Sequence, residues 1–233
     1  MSAFEYQLSR SSRRKTLSIV VRRGKVKILA PALLPAALIH KFIALKTGWV
    51  LEKLQSQQGW AEQETQAKKQ FIDGETFLYR GTEYPLQISP GAKSSVELVN
   101  GKLFVCVSNR VKSDNFEASV KKLLQGWYKQ QITDYLSHRL AYFCDRMRVK
   151  HTSLKVRSYK RRWGSCSAKG EVTFNYLLMM APDWVTDYVI VHELCHLTHL
   201  NHSPRFWSEV KRYYPEHKTA SNWLRDNGPT LTL

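Results

Sequence analysis

The sequence predicts an α+β fold, and three observations predict it. Period-two alternation in residues 16–31 is broken by a turn, and short strand candidates over 71–107 are punctuated by turn dipeptides. Long stretches with apolar residues three and four apart occupy 35–57 and 113–147. An apolar content of 43% in 233 residues is enough chain for one sizeable core or two small ones, and it argues against intrinsic disorder.

The elements follow in chain order. Leu17, Ile19 and Val21 alternate with polar neighbours, Arg22-Arg23-Gly24-Lys25 offers a turn, and Val26 and Ile28 resume the alternation, which reads as a β-hairpin ending at Pro31. From Pro35 to about Gln57 a helix is expected, with Ile39, Phe42, Ile43, Val50 and Leu54 near one face. Residues 58–70 are polar and read as a linker. Between 71 and 107, short strands are punctuated by Asp73-Gly74, Arg80-Gly81, Pro90-Gly91 and Asn100-Gly101, so a small antiparallel sheet is expected. A long helix starts at Ser113 and runs to about Met147. A strand near Leu154–Ser158, a turn at Lys169-Gly170 and a strand from Val172 to Met179 come next. Pro182 and Asp183 then open a helix over 184–200, and Ser203-Pro204 opens another. The expected division is an N-terminal part, residues 1–109, of hairpin, helix and small sheet, and a catalytic part, residues 110–233.

Composition narrows the class. The most apolar stretch, residues 26–45, is interrupted by Lys27, Pro31, Pro35, His40 and Lys41, so no membrane span is expected. The first residues lack a basic segment followed by an apolar run, so no secretory signal is expected either. Cys106, Cys144, Cys166 and Cys195 lie far apart with no CxxC pair, which argues against a disulfide framework and for a reducing, cytoplasmic setting. The formal charge is +17. Residues 1–27 hold eight Lys/Arg and one acid, and residues 146–170 hold nine Lys/Arg and no acid, so two segments carry sixteen of the seventeen net charges. They are either solvated faces or surfaces for nonspecific nucleic-acid contact.

The chemistry concentrates in His192-Glu193-Leu194-Cys195-His196, an HExxH inside an expected helix. Histidines four apart are turned by about 40° and separated by about 6 Å along the axis, so both imidazoles can reach one ion, with Glu193 beside them as a general base. Four of the eight histidines lie between 192 and 202. A catalytic zinc site needs a third protein ligand and one open position. His199 and His202 compete for it. His199 continues the same straight helix, on which three residues in line do not converge, whereas Asn201 and the Ser203-Pro204 start let the chain bend back and aim His202, the favoured ligand. Cys195 points away from both flanking histidines and reads as a buried thiol. Trp163, Trp184 and Trp207 read as packing residues around the cleft.

The stretch RRWGSCSAKGEVTFNYLLMMAP from Arg161 to Pro182, with DYVIVHELCHLTHLNHSPRFW from Asp187 to Trp207, resembles the YgjP-like family of metal-dependent hydrolases, related to SprT-like zincins. The resemblance extends to the N-terminal hairpin and helix. It implies a zincin-like catalytic part with the HExxH helix beside a small sheet, one Zn²⁺ held by His192, His196 and His202, and Glu193 as base. Trp163, Gly164, Asn175 and Tyr176 also match the family pattern.

Three functions remain open at this stage. One is a zinc metallopeptidase acting on a peptide, with Asn175 and Tyr176 either candidate hydrogen-bond donors to substrate or oxyanion or, the favoured reading, plain core or edge-strand residues. The second is a metal-dependent hydrolase of an anionic nucleotide, a nucleoside triphosphate pyrophosphatase, with Arg161 and Arg162 clamping phosphates. The third is a protease tethered to nucleic acid by residues 1–27 and 146–170. A three-histidine site also accepts other divalent ions such as Ni²⁺.

Overall fold

The computed structural model describes residues 3–22, 24–159 and 162–233. The chain divides into two compact units, Met1–Gln66 and Ala67–Leu233.

The first unit contains β1 (Tyr6–Ser11), β2 (Ser18–Arg22), β3 (Lys25–Pro31) and α1 (Ala36–Gln66). The expected hairpin is β2–β3, paired from Ser18↔Leu29 to Arg22↔Lys25. The sheet also includes β1, parallel to β3, which period-two reasoning missed because this edge strand is mostly polar and exposed. Val26, Ile28 and Ala30 of β3 pack with Ile39, Ile43 and Val50 of α1 to form the core of this unit. The helix runs nine residues further than expected. The first nine residues of the expected linker are helical, since Ala, Glu and Gln sustain a polar helix and no proline interrupts them.

The second unit begins with β4 (Thr76–Tyr79), β5 (Thr82–Gly91), β6 (Ser95–Val99) and β7 (Lys102–Ser108), in the order β4-β5-β7-β6. Asn100 (φ 50°) and Gly101 (φ 72°) make the tight β6–β7 turn, and Asn-Gly suits this double left-handed conformation. The sheet is mixed, not antiparallel as expected. β7 lies parallel to β5, because β6 takes the edge and returns β7 between them. Leu103, Val105 and Val107 thereby face inward.

Helix α2 (Phe116–Met147) buries Val120, Leu124, Tyr128, Ile132, Leu136, Leu140, Phe143 and Met147. A spacing of four overshoots one turn by about 40°, so this stripe winds round the helix and faces successive partners. Near its start α2 meets β6 and β7; further along it meets β8 (Ser153–Arg157), α3 (Asp183–Cys195) and the 3₁₀ segment Tyr176–Met180. The small sheet therefore shares one core with the rest of this unit. The Tyr128 hydroxyl donates to the Leu78 carbonyl (2.6 Å), and the Arg80 and Gly81 amides donate to the Met179 and Met180 carbonyls (2.8 and 3.0 Å). For this reason the compact units part at 66/67 and not at the expected 109/110.

The second sheet has the order β8-β10-β9, with β9 (Gly164–Cys166) antiparallel and β8 parallel to the central β10 (Glu171–Asn175). The strand expected over 172–179 ends at Asn175, whose side chain accepts from the Leu177 amide and starts the 3₁₀ segment. Helix α3 follows. Nine of its thirteen residues are buried, so it reads as apolar nearly all round. Among the described residues no helix is long and apolar enough to cross a membrane. Helices α4 (Pro204–Tyr213) and α5 (His217–Asn227) complete the unit.

Candidate metal centre

Helix α3 ends at Cys195, short of the expected 200. After it the chain tightens into successive i→i+3 hydrogen bonds, His196 N to Glu193 O and Leu197 N to Leu194 O. This early stop lets the chain turn back, and α4 begins with Ser203 accepting from the Phe206 amide and Pro204 in the first turn. His202 is the residue delivered by that reversal.

The three imidazoles of His192, His196 and His202 converge, with one ligand atom from each lying within 4.8 Å of the others. The Nε2 atoms of His192 and His202 are 3.1 Å apart. Two nitrogens bound to a tetrahedral zinc at 2.0–2.1 Å are separated by about 3.3–3.4 Å, so this pair stands near the spacing such an ion requires. His196 Nδ1 lies 3.0 Å from the His199 carbonyl, which can only accept. The nitrogen must donate there, leaving Nε2 as the lone-pair donor. His199 thus acts on its neighbour through its main chain, and its ring lies outside the cluster. Burial, and then the neighbouring imidazoles, hold His192 down to about 3, and burial also lowers His196. Both rings are neutral and able to ligate at neutral pH.

An aromatic wall fixes the rings. Phe206 is fully buried and touches all three, stacked on His196 (4.6 Å between centroids) and edge-on to His192 and His202 (5.0 and 4.7 Å). Trp207 stacks on His202 at 5.7 Å. Trp184 sits edge-on to Trp223. Trp163 packs against the core and Gly228.

Glu193 is buried, 6% exposed. Burial pushes its carboxyl up to about 8, and the positive charge of Arg162 opposes the shift. Gly164, the first residue of β9, lies directly on it: a methyl group at Gly164 would come within 2.6 Å of Glu193 Cγ and Oε1. Cys195 is fully buried, burial raises its thiol to about 12, and its sulfur is not among the ligand atoms that converge.

Of the residues considered for substrate, Arg162 lies near enough to act on Glu193, and Arg161 lies outside the described residues. Asn175 and Tyr176 turn their polar groups elsewhere, in line with the core reading and against the alternative that they bind substrate. Asn175 is 2% exposed, and its Nδ2 donates to the carbonyls of Tyr159 (3.0 Å) and Arg162 (3.1 Å), so it fixes the chain that carries Arg162. Tyr176 is 4% exposed, its hydroxyl paired with Gln125.

Sequence reasoning missed Phe206, the pressure of Gly164 on Glu193, and the anchoring of α3. Arg139 makes a two-pronged contact with Asp187 (2.8 and 2.5 Å), to which the Tyr135 hydroxyl also donates (3.0 Å), and Arg80 pairs with Asp183. An aromatic four residues past His202 offered no signal to separate it from an ordinary core residue.

A mixed α+β fold with three histidines gathered at an HExxH helix is that of a metal-dependent hydrolase of the metallopeptidase type. Residues 15–227 match the family model described as YgjP-like, metallopeptidase domain, and the chain belongs to that family. No curated protein matches it. Among solved structures it is similar to the metallopeptidase zymogen abylysin of Pyrococcus abyssi, at 25% identity over 37% of this chain and 89% of the other, with a TM-score of 0.35.

Proposed function

We propose that the chain is a zinc-dependent peptidase with His192, His196 and His202 as metal ligands and Glu193 as general base. The observation that carries this reading is the convergence of the His192, His196 and His202 imidazoles beside the buried carboxyl of Glu193. When bound, the ion supplies Lewis acidity, lowering the pKa of a water and polarising the scissile carbonyl. Glu193 takes the proton of the attacking water and returns it to the departing amine. Its raised carboxyl pKa suits a group that must both accept and release a proton near neutrality, and Gly164 behind it keeps its side chain in place. Among the described residues β9 is an edge strand, paired with β10 alone, so its other side can take an extended peptide by main-chain hydrogen bonds. The peptide carbonyl is favoured over the phosphoanhydride bond because the family is a metallopeptidase family. The four free thiols fit a reducing compartment, the cytoplasm.

The test is Glu193→Gln assayed on a mixed fluorogenic peptide library with zinc content measured in parallel. Cleavage should fall by about 10²-fold or more while one zinc is retained. Peptide cleavage that persists at the parent rate would remove Glu193 from the mechanism. Nickel substitution at equal occupancy asks whether zinc is the working ion.

A further inference from the structure

A second basic feature lies at the far end of α4 from His202, a distance of about 15 Å along a ten-residue helix. Here a cavity of about 570 Å³ is lined by Arg146, Arg148, Arg212 and Tyr213, with no acidic residue in its wall. Among the described residues no carboxylate lies within ion-pair distance of any of these three guanidiniums. Arg146 and Arg212 stand in the last turns of α2 and α4, where cations complement the helix dipole. That accounts for two of the three, but each helix end offers only about half a negative charge, so about two positive charges remain uncompensated.

Arg148 has no such account. It follows α2 in the left-handed conformation (φ 55°, ψ 43°), a position at which glycine or asparagine is the usual occupant. An arginine there sets its backbone in an unfavourable region, and its side chain lines the cavity. Arg146 donates to the Tyr142 hydroxyl (3.2 Å) and Arg212 lies over the Tyr213 ring (5.4 Å), so two of the guanidiniums are steadied by aromatic neighbours.

We propose that this cleft between the C-terminal ends of α2 and α4 is a binding site for phosphate groups, held by the guanidiniums of Arg146, Arg148 and Arg212. Three planar donors around one concave space match the several oxygens of a phosphate or diphosphate. The same chemistry is offered by a free polyphosphate and by a nucleic-acid backbone. The site is separate from the metal centre, so its occupancy does not depend on the peptidase reading.

The full-length protein is titrated with pyrophosphate and, separately, with a fluorescein-labelled single-stranded oligothymidylate, and compared with Arg148→Gly and Arg212→Gln. Glycine relieves the left-handed backbone, so Arg148→Gly should unfold at or above the parent temperature; Arg212 is exposed, and Arg212→Gln gives a second variant whose folding is not in question. Each substitution should weaken binding by about tenfold, with zinc content and peptide cleavage unchanged. Loss for pyrophosphate alone identifies a free phosphate as the ligand. Loss for the oligonucleotide alone, with a salt slope reduced by about 0.7 for each contact removed, identifies the backbone. Variants that bind both probes as the parent does, or a parent that binds neither, overturn the proposal.

Discussion

Glu193 and Gly164 are packed so closely that no further carbon fits between them. In Gly164→Ala the new methyl must displace either the β9 backbone or the Glu193 carboxylate, and the side chain is the softer of the two. Peptide turnover should then fall by about 10²-fold, the size of a lost general base, while zinc stoichiometry stays at one. Turnover equal to the parent would mean that Glu193 does not need its observed position. Phe206 poses the complementary case, since it touches the three imidazoles and not Glu193. Phe206→Ala opens a cavity under all three imidazoles, and unfolding in urea should show a cost of about 3–5 kcal/mol. Zinc affinity, read by chelator competition, should drop by about 10- to 100-fold because the rings lose the surface that orients them. Unchanged affinity would limit Phe206 to packing.

Among the elements, β10 is the central strand of the sheet beside α3, and its first residue carries a surface ion pair with β8. Lys155 Nζ lies 2.7 Å from Glu171 Oε1, and this contact, followed by the charges of Lys169 and Arg157, holds the Glu171 carboxyl below the ordinary carboxylate range. A carboxyl lowered in the folded state contributes stability above its unfolded pKa, and that contribution is lost as pH falls through the lowered folded value. NMR titration should therefore place Glu171 below the ordinary glutamate value, and Lys155→Met should raise it. A Glu171 that titrates at the ordinary value in both proteins would show the pair to be broken in solution. Both residues are well exposed, so unfolding temperature should respond little. The Arg139–Asp187–Tyr135 cluster between α2 and α3 is less exposed and is the stronger tie on the helix that carries His192 and Glu193.

At the scale of the whole molecule, binding and folding are linked through the second unit. The three histidines come from the end of α3 and from the reversal before α4, close in the chain but turned to one point only by the fold, so an ion that binds all three stabilises the folded state. Zinc at 100 times its dissociation constant should add about 2.7 kcal/mol, a rise of about 5–10 °C in the unfolding temperature for a unit of this size, abolished by a chelator. His202→Gln should remove most of that rise, and a protein that melts at one temperature with and without zinc would exclude the three-histidine site.

Much of this was legible in the chain itself. HExxH and the helix around it follow from residue spacing, and Ser203-Pro204 marks the start of α4 because capping chemistry is local. The α2 stripe and the Asn100-Gly101 turn are local signals of the same kind. Contacts between distant segments were not legible. The parallel pairing of β5 with β7 and the strand β1 depend on which edge is open when the chain returns, and no periodicity encodes that choice. Asn175 shows the limit most plainly: an amide beside a catalytic motif suggests a donor to substrate, yet in the fold its hydrogen bonds are made to Tyr159, Arg162 and Leu177. The sequence by itself determined the residue types able to hold an ion and the family to which the chain belongs. The fold was needed to bring Gly164 against Glu193, to set Phe206 under the rings of His192, His196 and His202, and to gather three arginines at the ends of two helices in one cleft. Spacing along the chain governs what lies within a turn or two, whereas packing governs what meets across the fold.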